Sequence, residues 1–193
     1  MPPETKLILI GGPTCSGKTQ LARKMVEALG GVERCNSLHM DGWYKPDLPN
    51  FDVPSAVYIE EFERDVLTLL QGSPIGARDL GQHTNQRPIS NEMLHTKPFL
   101  VVEGVYVLAF DSVVAAASLK LFMEISPASM CLRRIRRDAI EYGENLSDVL
   151  FRIEHQVLPG TKEFVLPTRA RADLVLEESE QADEHLMKAL ELL

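Results

Sequence analysis

One stretch constrains the fold more than any other. Residues 6–20 read Lys-Leu-Ile-Leu-Ile-Gly-Gly-Pro-Thr-Cys-Ser-Gly-Lys-Thr-Gln. The run 6–10 is continuously apolar after one lysine, as a strand buried on both faces requires. Gly12-Pro13-Thr14-Cys15-Ser16-Gly17-Lys18-Thr19 then fits G-x-x-x-x-G-K-[ST] without mismatch. Leu21, Ala22, Met25, Val26 and Leu29 follow at helical spacing, and Gly30-Gly31 supplies the stop. Strand, glycine-rich turn and helix together predict a phosphate cradle. Gly12 and Gly17 let main-chain N–H groups approach phosphate oxygens without a side chain in the way. The helix beginning near Gly17 adds unpaired N–H groups and the positive end of its dipole. Lys18 is placed to bridge the β- and γ-phosphates of a nucleoside triphosphate such as ATP, and the Thr19 hydroxyl to ligate Mg²⁺. Cys15 reads as a small filler.

The remaining strands predict an α/β fold with a parallel sheet covered on both faces. They are expected at 35–40, 99–102, 120–125 and 173–176, alternating with helical patterns at 57–70, 111–119, from Pro127 to near Gly143, from Asn145 to Pro159-Gly160, and 179–192. With 193 residues, 45% of them hydrophobic, the chain suits one domain, residues 1–193. Its net charge of −8 argues against a nucleic-acid polymer as partner. No apolar stretch reaches membrane-spanning length. Residues 1–6 lack the apolar core of a secretory signal. Three cysteines without metal-ligand spacing fit reduced thiols in a cytoplasmic protein.

Functional groups should collect at the carboxyl ends of the strands. Asp41 follows the second strand. There it either accepts the proton of an attacking hydroxyl or caps the turn before Gly42. Glu103 ends the third strand, where it can hold Mg²⁺ through water, orient an acceptor, or be a satisfied strand-end carboxylate. Helix 57–70 carries an apolar stripe of Ile59, Phe62, Val66, Leu69 and Leu70, with Glu60, Glu61, Glu63 and Asp65 assigned to a solvated face. The segment 73–98 is polar and irregular. It reads as acceptor-binding wall with a small hairpin, or as a surface excursion. Ser126-Pro127 signals a helix start, and Arg133, Arg134, Arg136 and Arg137 follow. At least one of these arginines is expected to face the phosphates; the alternative is a basic face paired with Asp138 and Glu141.

In this order the motifs resemble the uridine kinase group of P-loop small-molecule kinases, from the first strand through the fifth. Asp41-Gly42-Trp43-Tyr44 is similar to that group's base aspartate and aromatic pair. Asn50-Phe51-Asp52 resembles its ribose-binding segment. Val102-Glu103-Gly104 resembles its acidic strand end, and 133–138 its lid arginines, with Arg134 and Arg137 at the phosphate-contacting places. Phe164-Val165-Leu166-Pro167-Thr168 and Ala172-Asp173 match its C-terminal segment. The resemblance implies a P-loop fold with strand order 2-3-1-4-5, an acceptor region over about 41–98 and a lid over about 133–160. It implies ATP with Mg²⁺ and a nucleoside-like acceptor held by Asp41, Tyr44, Asp52, His83, Glu103 and Arg134. A homo-oligomer is compatible with it.

The departures fall on the acceptor side. Arg78, Asp79 and Leu80 stand where an aromatic contact is expected. Tyr142-Gly143-Glu144 carries an anion in place of a cation, and Arg152 replaces a glutamine. Another nucleoside or a polyol therefore stays open as acceptor, as does a nicotinamide riboside kinase-like activity. A nucleotide-dependent ATPase or regulatory module is the reading from another class. The N-K-x-D guanine motif of GTPase switches does not occur.

Overall fold

The computed structural model describes residues 5–78, 89–178 and 181–193. Strand β1 (Lys6–Gly11) lies at the centre of a five-stranded sheet. It pairs in parallel with β5 (Phe99–Glu103) on one side and β6 (Leu119–Met123) on the other. β2 (Cys35–His39) continues the sheet beyond β5, and β7 (Leu174–Leu176) beyond β6. Counting only these five strands in chain order, the arrangement is the expected 2-3-1-4-5.

From Leu7 to Ile10 β1 is apolar because its two faces meet different cores. Leu7 and Leu9 pack with Trp43, Phe62, Val66, Leu69, Tyr106 and Val113 under helices α2 (Ile59–Leu70) and α3 (Asp111–Ala116). Ile8 and Ile10 face the opposite way, onto Leu21, Ala22 and Met25 of α1 (Lys18–Ala28) and Ala189 of the C-terminal helix. A fully buried side chain of this kind contributes roughly 1.5–3 kcal/mol. The sheet is therefore fixed in position, with its carboxyl-end rim above it.

Two further units lie outside the five-stranded sheet. β3 (Ile75–Arg78) and β4 (Ile89–Leu94) form the expected hairpin, with Ile75 opposite Leu94 and Arg78 opposite Ile89. Asp79, Leu80 and His83 lie outside the described residues. The second unit covers the residues expected to form the lid. Helix α4 (Pro127–Ile135) starts as expected, with Ser126 Oγ accepting from the Ser129 N–H at 3.2 Å. It runs into a π-helical turn, Arg136–Glu141, and ends before Gly143 at φ 72°. Asn145 caps α5 (Leu146–Arg152). Met130, Val149, Ile153 and Val157 pack together as the lid's own small core. Helix α7 (Ala182–Glu191) closes the chain.

Two expectations fail. Pro159-Gly160 does not stop the lid helix: α5 continues through a π turn (Ile153–Val157), the short α6 (Leu158–Gly160) and a second π turn (Thr161–Val165) into the 3₁₀ segment Leu166–Arg171. Pro159 follows directly on the π turn Ile153–Val157, an irregularity of the kind that accompanies a proline inside a helix. Gly160 is helical, and its role is close approach: a Cβ there would lie 2.1 Å from the Asp52 carbonyl oxygen. The second failure is Asp65, which is buried at 8% exposure and not on a solvated face. Its partners appear below.

Candidate active site

The loop between β1 and α1 is strained where a phosphate cradle has to be. Gly12 adopts φ 135°, and a Cβ on it would lie 2.4 Å from the Met123 carbonyl oxygen. Cys15 is left-handed at φ 60° and Gly17 at φ 100°. No side chain caps the start of α1, so its first N–H groups face the loop. Lys18 Nζ donates to the Pro13 carbonyl at 2.7 Å, reaching back across the turn. Burial lowers the Lys18 pKa, while Glu103 and Asp41 oppose that shift. Ser16 Oγ is buried without a hydrogen-bond partner among the described residues. An orphaned hydroxyl in a turn too close for side chains fits a bound polyphosphate. A crevice of about 340 Å³ opens beside Pro13, lined by Ile125, Ser126, Glu177 and Glu178 among others.

The ends of β2 and β5 meet next to this turn. In the β2–β5 ladder His39 is opposite Glu103. Glu103 Oε1 accepts from Thr19 Oγ1 at 2.6 Å and from His39 Nδ1 at 2.6 Å. Burial pushes the Glu103 carboxyl up, but the His39 hydrogen bond, Lys18 and the Thr19 hydroxyl outweigh it and hold it below its ordinary value. The same hydrogen bond raises His39. The hydroxyl and carboxylate oxygens of Thr19 and Glu103 are hard donors beside Lys18, a set that fits Mg²⁺.

Asp41 occupies the 3₁₀ turn Met40–Trp43 that follows β2. The turn packs hard against the end of β5, since a Cβ on Gly104 would lie 2.5 Å from Met40 Cβ. Asp41 is exposed, yet the surrounding protein and then Glu103 lift its carboxyl above the ordinary range, while Lys18, His39 and Arg137 pull it down. Asp41 and Lys18 each act on the other's charge.

A buried polar cluster holds the turn from below. Trp43 Nε1 donates to Asp65 Oδ2 at 3.0 Å, and Arg78 Nη2 donates to the same oxygen at 2.8 Å and to Glu61 Oε2 at 3.2 Å. The Arg78 guanidinium lies 4.7 Å from the centre of the Trp43 ring. Arg78 is thus committed to α2 and the Asp41 turn, while its neighbours in the hairpin lie outside the described residues.

On the other side of the cleft, Tyr44 packs edge-on to Phe51 at 5.8 Å. The Asp52 N–H is held by Asn50 Oδ1 at 2.8 Å. Asp52 is half-buried, and burial raises its carboxyl against the pull of Arg134 and Arg152. Burial and Asp41 push the Tyr44 phenol well up, and burial and Asp52 do the same for Tyr106. Both phenols therefore stay protonated and able to donate.

The lid arginines divide. Arg134 donates to Asp138 Oδ2 at 2.6 Å and to Thr14 Oγ1 at 3.2 Å. Arg137 donates to Asp138 Oδ1 at 2.7 Å. Burial works against the Arg137 charge, but the bond to Asp138 outweighs it and raises the pKa. Arg133 reaches the Cys15 carbonyl at 3.1 Å. Arg136 points outward beside Glu141 at 3.4 Å. Arg133 and Arg134 touch the phosphate loop, while Arg134 and Arg137 are paired with Asp138 and Arg136 with Glu141. The structure thus brings together residues 12–19, Asp41, Tyr44, Asp52, Glu103, Arg134 and Arg137, with His83 outside the described residues. The sequence reading missed His39, Tyr106 and Asp138 as site groups. Their signal lies in cross-strand register and burial, neither of which a linear motif carries.

Comparison with known proteins agrees with this geometry. The model of the phosphoribulokinase / uridine kinase family matches residues 7–184. A uridine kinase from Lactobacillus helveticus is 27% identical, over 92% of this chain and 88% of the relative. One from Halobacterium salinarum is 28% identical, over 88% of this chain and 78% of the relative. Among solved structures, one from Silicibacter sp. TM1040, described as a candidate fructose transport system kinase, superposes with a TM-score of 0.75 at 19% identity, covering 90% of each chain. A possible uridine kinase from Bacillus stearothermophilus gives 0.60 at 15% identity, covering 91% of this chain and 90% of that one. At such identities the structural matches speak to the fold alone.

Proposed function

Because the chain belongs to the phosphoribulokinase / uridine kinase family and is a P-loop small-molecule kinase, we propose that it transfers the γ-phosphoryl group of ATP to a hydroxyl of a nucleoside-like acceptor. The observation that carries this reading is the position of Asp41, an accessible carboxylate in the turn after β2, next to the strand end where Glu103 accepts from Thr19 of the phosphate loop. In the proposed step Asp41 takes the proton of the acceptor hydroxyl. The oxygen forms a bond to the γ-phosphorus, the bond to the β,γ-bridging oxygen breaks, and ADP leaves. Lys18 and the residue 12–19 amides hold the phosphates. Arg134 and Arg137, aimed by Asp138, offset charge on the phosphoryl group in transit. Mg²⁺, when bound, neutralises β- and γ-oxygens; Thr19 and Glu103 are the residues that would hold it.

On the acceptor, Asp52 would accept from hydroxyls that the Tyr44 side of the cleft orients, and His83 remains a proposed contact on the strength of the sequence resemblance. The relatives named above are uridine kinases, which favours a nucleoside. A cytoplasmic site of action suits three free thiols, one of them, Cys35, pushed up to about 11 by burial and so inert.

ADP release across a panel of nucleosides and polyols tests the reading, with Asp41→Asn alongside. Acceptor-dependent release that Asp41→Asn abolishes while still binding ATP supports it. Release without any acceptor points to an ATPase, and full turnover by Asp41→Asn removes Asp41 as base.

A further inference from the structure

A line of contacts runs from the edge of the sheet to the phosphate loop. Glu178 lies two residues past β7, the edge strand that pairs with β6. Its carboxylate has two partners at α4. Oε2 accepts from the Ser126 N–H at 2.8 Å, and Oε1 accepts from Arg133 Nη2 at 3.3 Å. The Ser129 side chain, and then the Ser126 N–H, hold this carboxyl below its ordinary value, with Arg133 adding to them. Arg133 Nη1 donates to the Cys15 carbonyl at 3.1 Å. The Cys15–Ser16 peptide is held on its other side too, since the Ser16 N–H donates to the Pro13 carbonyl at 3.3 Å. Lys18 Nζ donates to that same carbonyl at 2.7 Å. Cys15 is left-handed at φ 60°, a conformation that a residue with a Cβ keeps where its surroundings fix it. Glu178 is thus linked through Arg133, the 15–16 peptide and the Pro13 carbonyl to Lys18.

We propose that Glu178 is a positioning residue of the donor site: by aiming Arg133 at the Cys15 carbonyl it fixes the peptide that sets Lys18 and the phosphate loop, and so tightens the hold on the triphosphate. This rests on the phosphotransfer reading above. A guanidinium suits the link because its fork serves two acceptors at once, here a carboxylate and a main-chain carbonyl. Charge alone argues the other way. A carboxylate repels a triphosphate, and its removal should then strengthen binding. The Glu178 side chain is 26% exposed and paired with Arg133, so solvent and partner both weaken that repulsion. Orientation through fixed hydrogen bonds is not weakened in this way. The two effects have opposite signs, and orientation is the larger.

Calorimetric titration with ATP, without any acceptor, tests this in the wild type, Glu178→Gln, Arg133→Met and the double variant. Glu178→Gln should raise the Kd for ATP about threefold to fivefold, the size that an exposed ion pair can transmit. Arg133→Met should raise it about tenfold, because a hydrogen bond from a charged group is lost. The double variant should bind no more weakly than Arg133→Met, since Glu178 acts through Arg133. In turnover the KM for ATP should follow the Kd, while the acceptor KM moves less than about twofold. A merely structural role would lower the melting temperature and shift both KM values together. A Kd that Glu178→Gln leaves unchanged or lowers overturns the inference, and so do additive effects in the double variant. If Glu178→Gln fails to fold, Glu178→Asp decides in its place: it is too short to serve Ser126 and Arg133 together and should also weaken ATP binding. A wild type that binds no ATP overturns the phosphotransfer reading, and this inference with it.

Discussion

The donor and acceptor halves of the cleft are built by different means. The donor half is one uninterrupted segment, residues 12–19, and its working parts are main-chain amides held in conformations that few residues tolerate. The half proposed for the acceptor is assembled from the Asp41 turn, the 49–52 loop and the expected lid, and its side chains tune one another's charges. Backbone function forces a sequence pattern, because glycine has to stand where a Cβ would collide. Side-chain function can be met by many residues in many registers. The donor half should therefore be intolerant and invariant in its chemistry. The acceptor half should be adjustable as long as its one reacting group is kept.

The sharpest break is Asp41→Asn. Removing a general base costs about 10²- to 10⁴-fold in kcat, while ATP binding to residues 12–19 should persist in a titration. The same substitution should raise the melting temperature. The Asp41 pKa is raised in the folded protein by the surrounding protein and by Glu103. Folding is then most favoured below the unfolded aspartate pKa, and this contribution is lost as pH rises through the folded value. A neutral amide removes that penalty. Lost turnover together with gained stability is the signature of a group kept for chemistry; a lower melting temperature would refute it. In the wild type, kcat/KM should fall toward acid with an apparent pKa above that of an ordinary aspartate.

Next comes a test of the donor half by geometry. Gly12→Ala places a Cβ 2.4 Å from the Met123 carbonyl oxygen at φ 135°. The loop has to move, and a displacement of about 1 Å at a reacting centre can cost about 10²-fold. Gly31→Ala is the control. It also has a positive φ, 72°, but nothing lies within 4 Å. It should cost about 1 kcal/mol of stability and leave the KM for ATP unchanged. Equal effects of the two on ATP binding would end the claim that space around the amides is what matters.

These differences also explain what could be read in the sequence. The phosphate loop and β1 follow from contiguous patterns, the strand order from the resemblance to the uridine kinase group, and Asp41 from its place after a strand. His39 could not be found that way, because its partner Glu103 is set by the pairing of β2 with β5, strands far apart in the chain. Asp65 is a different kind of miss. It lies three residues after Phe62 and four before Leu69, so helical spacing already puts it on the apolar stripe. Charge argued for solvent, whereas Trp43 and Arg78 supply it with buried partners. Pro159-Gly160 misled because a glycine that lets two backbones approach looks, in sequence, like one that ends a helix.

The Asp65 cluster is itself a way to sharpen the comparison, at smaller cost to activity. Arg78→Met removes one partner of the buried Asp65 while Trp43 and Arg64 remain, and losing a hydrogen bond to a charged group costs about 1.5–3 kcal/mol. Denaturant unfolding should show that loss. Because Trp43 shares the Met40–Trp43 turn with Asp41, kcat should fall too, about tenfold, with the KM for ATP unchanged. A stability loss without a kcat effect would show that the turn is held by β5 packing alone.

The smallest effect concerns the hinge between the halves, His39–Glu103–Thr19. His39 is raised by its hydrogen bond to Glu103, so its contribution to folding is complete below the unfolded histidine pKa, about 6.5, and is lost as pH rises through the folded value. Glu103 is lowered, so its contribution is present above the unfolded glutamate pKa and lost as pH falls through the folded value. Between those limits the pair should hold the Thr19 hydroxyl and the end of β2 together. Melting temperatures of the nucleotide-free protein at pH 6 and pH 8 measure this directly. The wild type should lose more stability over that interval than His39→Asn, which cannot titrate there. If the two lose the same amount, the hydrogen bond seen at 2.6 Å carries no charge, and the donor and acceptor halves are joined by backbone pairing of β2 with β5 alone.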